Sequence, residues 1–153
     1  MTVILADHDI ERHARLLFAT LQALDWAQLL DIHLAGFNEV GLVETSSDRE
    51  VWRRVQQLDM LLLTNNRNKE GSDSLEQTLR EELTSTSLPV LTIGNAERFL
   101  ASQTYRERCA NRVAEIAEDL DRATAALPGS SSPEPPGAAP YGRVVRCRQF
   151  VPQ

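Results

Sequence analysis

Three short apolar runs, each ending abruptly in small or polar residues, constrain this chain more than any other feature. Val3-Ile4-Leu5-Ala6 gives way to Asp7-His8-Asp9, Met60-Leu61-Leu62-Leu63 to Thr64-Asn65-Asn66-Arg67-Asn68, and Val90-Leu91-Thr92-Ile93 to Gly94-Asn95. Runs this short and this uniformly apolar read as strands buried on both faces, the pattern of a parallel sheet covered by helices. A helical periodicity follows each of them. The predicted fold is therefore α/β, a doubly wound, mainly parallel sheet with helices on both faces. Ligands bind such sheets outside the carboxyl ends of the strands, so the polar clusters are where chemistry is expected.

Between the runs, Ile10, Ala14, Leu17, Leu21 and Leu24 recur at helical spacing, predicting a helix that ends near Trp26 with Asp9 as its N-cap. Leu30-Asp31-Ile32-His33-Leu34 alternates as a strand with one wet face, which sends His33 toward solvent. The loop from Gly36 to Ser46 carries Glu39 and Glu44 and is longer than most connections, which makes it a candidate for function. Ser47-Asp48-Arg49-Glu50 fits a capping box opening a helix whose apolar face is Val51, Val55 and Leu58. Taken alone, Asp48 need only complement the positive end of that helix.

Asp73 and Glu76 form a second capping arrangement, ahead of the stripe Leu75, Leu79 and Leu83. Pro89 introduces the Val90 run, and Asn95 caps a short helix through Phe99. Thr104 and Glu107 then start a long amphipathic helix on Tyr105, Cys109, Val113, Ile116 and Leu120. On that stripe Cys109 is a small core residue rather than a nucleophile.

The length of 153 residues fits one domain that buries about two thirds of its unfolded surface. Residues 1–122 carry the α/β pattern. In 123–140 the composition shifts to proline, serine and glycine, with five of the seven prolines, and reads as a disordered linker. Residues 141–153 regain Val144, Val145, Phe150 and Val151 beside Arg143, Arg146 and Arg148. They return as an edge strand or trail as a basic tail, and the alternation of Val145-Arg146-Cys147-Arg148 favours the strand.

A net charge of −6, from 16 basic and 22 acidic residues, argues against holding nucleic acid by bulk electrostatics, so any such contact is local. Cys109 and Cys147 lack metal-binding or redox spacing, and with no secretory or membrane-spanning pattern the expected location is the cytoplasm. No G-x-S-x-G turn, Walker loop or G-x-G-x-x-G turn is present, which removes the motif-based cases for serine esterases, P-loop enzymes and dinucleotide binders.

Four motifs go further. Ile4-Leu5-Ala6-Asp7-His8-Asp9, Glu39-Val40-Gly41-Leu42, Ser47-Asp48-Arg49-Glu50-Val51 and Leu61 to Asn68 resemble, in that order, the motifs of small stand-alone PIN-like domains, over residues 1–100. The resemblance implies a PIN-like α/β fold, a Mg²⁺- or Mn²⁺-dependent ribonuclease activity, and RNA, an antitoxin or other protein, or a second copy in a homodimer as partners, with no membrane. It also implies Asp7 and Asp48 as catalytic acids and metal ligands, joined by Asp9, Glu39 or Glu70, because hard cations prefer oxygen ligands. Where the family has T-N-D-x-D, this chain has Thr64-Asn65-Asn66-Arg67-Asn68, placing amides at the catalytic positions 66 and 68. An amide oxygen ligates without supplying charge. Asn65 and Arg67 are then substrate contacts, and two functions stay open: a divalent-metal ribonuclease, or a degenerate PIN-like module that binds RNA or protein through its amides and Arg67.

Overall fold

Alternation along the apolar runs builds a two-sided sheet. The computed structural model describes residues 1–64, 74–84, 87–125 and 144–147; at 76, 123–125 and 144–147 the backbone alone is described. Strands β1 (Thr2–Ala6), β2 (Ile32–Ala35), β3 (Leu61–Thr64), β4 (Val90–Ile93) and β5 (Val144–Cys147) lie in the order β2-β1-β3-β4-β5. Every neighbouring pair is parallel, with Ile4 opposite Leu61 and Leu62 opposite Val90. Ile4, Ala6, Leu61, Leu63, Leu91 and Ile93 face one way; Leu5, Leu62 and Val90 face the other. The first set packs on α1 (Glu11–Ala23), α5 (Ala96–Ala101) and α6 (Gln103–Ala125), and the second on α3 (Asp48–Gln57) and α4 (Leu75–Glu82). The fold is doubly wound α/β.

Tertiary context moves several expected boundaries. The first helix stops at Ala23, before Trp26, because Asp25 takes a left-handed conformation at φ 64°; the chain resumes in the short α2 (Trp26–Leu29). Asp9 does not cap α1. A 3₁₀ turn, His8–Ile10, intervenes, and Asp7 is the residue in extended geometry whose side chain accepts the first N–H. Ser74 caps α4 by accepting from the Gln77 N–H at 3.2 Å; Asp73, the expected cap, lies outside the described residues. Likewise Ser102, rather than Thr104, accepts from the Tyr105 N–H, since the helix has already begun at Gln103. For Asp7 and Ser102 alike, the cap goes to a neighbour that precedes the helical dihedrals.

Leu58 and Leu83, expected on apolar faces, lie just beyond their helices and are 39% and 40% exposed; Trp52 fills the face of α3 instead, at 5%. Cys109 is in the core and His33 is exposed against Asp31, both as expected. Helix α6 runs past residue 122 to Ala125, and β5 realises the edge-strand reading at 144–147. The linker expected at 123–140 falls outside the described residues from 126 on. No helix among the described residues is long and apolar enough to cross a membrane.

Candidate functional site

The strand order places the topological switch point between β1 and β3, where connections depart to opposite sides and open a crevice at the carboxyl ends. Asp7 sits there, immediately after β1. Its N–H donates to the Leu63 carbonyl at 2.9 Å, continuing the ladder one residue beyond the strand. Its carboxylate Oδ1 accepts from the His8 N–H at 2.8 Å and Oδ2 from the Thr64 hydroxyl at 3.0 Å. Thr64, the fully buried last residue of β3, thus ties the acid to the neighbouring strand.

Asp48 reaches the same crevice from the first turn of α3. That helix starts here because Ser47 is extended and its hydroxyl accepts from the Glu50 N–H at 3.2 Å, the serine half of the expected capping box. Asp48 Oδ2 accepts from the N–H of Leu75, the first residue of α4, at 3.0 Å. One carboxylate therefore lies at the N-termini of two helices, the favourable end of each dipole.

Asp7, Asp9, Glu44, Ser46 and Asp48 line a polar cavity of about 180 Å³. Burial holds the Asp7 carboxyl above its ordinary 3.8; the Thr64 bond opposes the rise, and Asp48 and, less, Asp9 add to it. Glu44 is brought in by a turn in which the Val43 N–H donates to Ser46 Oγ at 3.0 Å and the Ser46 N–H to the Val43 carbonyl at 2.9 Å. His8 stands between Glu11 and Glu44, with ring nitrogens 3.8 and 3.7 Å from their carboxylates.

Of the residues expected in the site, Asp7, Asp48 and Asp9 meet at this cavity. Glu39 does not line it; the 3₁₀ turn Phe37–Val40 places Glu39 on a neighbouring cavity. Asn65, Asn66, Arg67, Asn68, Glu70 and Asp73 lie outside the described residues. Among the described residues no group of three or more His, Cys, Asp or Glu side chains is placed to hold a metal ion. Thr64 was not expected in the site, and Glu44 and Ser46 only as members of the Gly36–Ser46 loop, a candidate for function. For Thr64 the available signal was its position as the last residue of a buried strand beside Asp7's strand, whereas Glu44 depended on a turn with no sequence signature. Comparisons with family models, with curated proteins and with solved structures find no match for this chain.

Proposed function

We propose that this protein is a divalent-metal-dependent ribonuclease of PIN-like type, acting at the crevice between β1 and β3. The observation that carries the reading is Asp7, a partly buried carboxylate held beside Asp48 in a cavity with no lysine or arginine in its described lining. Folding alone does not favour such a pairing, since burial and like charge both act against the ionised form. The donors are carboxylate and hydroxyl oxygens, the set a hard cation takes, so their chemistry suits Mg²⁺ or Mn²⁺, although the described carboxylates do not by themselves close a ligand shell. Asp7 and Asp48 would hold the ion, with Asp9 and Glu44 at the rim. Bound there, it supplies an activated water and a counter-charge for the scissile phosphate. Thr64 fixes the Asp7 carboxylate in orientation, and the two helix N-termini hold Asp48 as an anion.

A second reading, a degenerate PIN-like module that binds RNA or protein, is favoured by the engagement of Asp48 with Leu75, which gives that carboxylate a structural task without any metal. Thermal melts in chelator and then in millimolar Mn²⁺ or Mg²⁺ separate the two. A nuclease gains about 2.7 kcal/mol at a hundredfold excess of ion over Kd. Asp7→Asn should abolish both that rise and cleavage of single-stranded RNA. A protein showing neither rise nor cleavage belongs to the second reading.

A further inference from the structure

Beside the acid cavity lies a larger one of about 480 Å³, set between the start of α1 and the segment after β2. The two share His8, Phe37 and Glu44, so they adjoin. The larger cavity adds Arg15, Asn38 and Glu39, whose side chains make no hydrogen bond or ion pair among the described residues. His8 gives it an aromatic side, its half-buried ring lying 6.3 Å from that of Phe37, which is itself buried in the core. Its volume falls in the range of about 300–1,000 Å³ that small-molecule sites occupy. A cavity with one aromatic side, one unpaired guanidinium and unpaired acceptors suits a flat ring that carries both donors and acceptors.

The donors and acceptors narrow the choice of ring. An arginine pairs in two-pronged fashion with the O6 and N7 of guanine. A carboxylate pairs in the same fashion with two adjacent N–H groups, and of the four RNA bases guanine alone presents them, at N1 and N2. Adenine and cytosine present a single amino group, and uracil one ring N–H. We propose that this cavity takes a guanine base of an RNA strand whose backbone crosses the acid cavity, with Glu39 on the N1–N2 edge, Arg15 on O6 and N7, and His8 against the ring face. The assignment gives the ribonuclease reading a substrate class and rests on it for the role of the strand. Recognition of the base is independent of cleavage. A chain of net charge −6 needs such a local contact, since it has no bulk positive field to hold RNA.

The test is an NMR titration of the full chain in chelator with uncharged nucleosides, so that neither metal nor phosphate repulsion enters. Guanosine is expected to shift the amide signals of Phe37, Asn38 and Glu39, and adenosine, cytidine and uridine to bind at least fivefold more weakly. Arg15→Ala and Glu39→Gln should each weaken guanosine binding roughly five- to 150-fold, the range for losing one two-pronged base contact. Both side chains are exposed and, among the described residues, unpaired, so melting curves should stay unchanged and exclude unfolding as the cause. Equal binding of all four nucleosides, no binding, or guanosine binding indifferent to both substitutions overturns the assignment. With millimolar Mg²⁺ replacing the chelator, a short RNA with one guanine should bind at least as tightly as guanosine; if guanosine binds and the RNA is still excluded, the strand is refuted and the cavity serves a free nucleoside. Guanosine selectivity without any RNA cleavage upholds the cavity and refutes the nuclease, whereas cleavage without selectivity does the reverse.

Discussion

Asp48 is asked to do two things, and two substitutions at one position separate them. Asp48→Ala removes the acceptor of the Leu75 N–H, a 3.0 Å bond to a charged group of a kind worth about 1.5–3 kcal/mol, here at the low end because the side chain is only half-buried. It also removes a negative charge from the first turn of α3, about 0.3–1 kcal/mol. Relief of Asp7 returns part of this, and the expected net loss is about 1–2 kcal/mol. Helix α4 stays docked because Arg49 bridges Glu81 and Glu82, at 2.6 and 2.5 Å, and Arg53 reaches Glu82 at 2.7 Å. Asp48→Asn keeps a neutral acceptor for Leu75 and should cost no more than about 1 kcal/mol. The assay is urea and thermal melting in chelator, where 1 kcal/mol corresponds to about 2–4 °C for a chain of this size. If Asp48→Ala melts with the wild type, the tie between α3 and α4 is not what the hydrogen bond implies. With Mn²⁺ present, Asp48→Asn should lose the metal-dependent rise although its fold is intact; a rise that survives refutes Asp48 as a ligand.

Asp7→Asn should stabilise the metal-free protein at neutral pH. The folded chain holds the Asp7 proton more tightly than the unfolded chain, whose carboxyl titrates near 3.8, so the contribution of Asp7 is full below that value and is lost as pH rises through the folded one. The advantage of Asp7→Asn should therefore vanish in melts taken below about pH 3.8, and an advantage that instead grows as pH falls would contradict the assignment. Phe99→Ala, at a fully buried position packed edge-on against Tyr105 and beside His13, should cost about 3–5 kcal/mol in urea unfolding, and a loss under 1 kcal/mol would mean that α5 is not part of the core.

The centre of the sheet was legible because β1, β3 and β4 are buried on both faces, and a run such as Leu61-Leu62-Leu63 has few other uses in a chain of this size. Helix starts were harder. Candidate caps occur in pairs, Asp7 with Asp9 and Ser102 with Thr104, and local chemistry favours neither member. The choice falls to whichever residue is extended as the chain leaves a strand or loop, which is a property of the path through space. The same limit explains Glu39 and Glu44. Both lie in the segment after β2, but the 3₁₀ turn Phe37–Val40, closed by Gly41 at φ 77°, aims one away from the acid cavity, and the Val43–Ser46 turn aims the other into it.

Asp7 and Asp48 do not weigh equally as signs of function. The position of Asp48 is accounted for by folding: two helix N-termini surround its carboxylate, and a residue at that corner would be kept for the tie to Leu75 alone. Asp7 is accounted for only in part. Its cap on the 3₁₀ turn and its bond from Thr64 could be made by an asparagine, whose carbonyl would accept from the His8 N–H while its amide donates to the Thr64 hydroxyl. The negative charge adds nothing to those bonds that offsets its burial and the approach of Asp48. A charge that costs stability where a neutral side chain of the same shape would serve is the feature that most needs a reason outside folding. The crevice at the switch point supplies that reason only if something positive comes to it, which is why the metal titration, rather than any substitution at Asp48, decides the proposal.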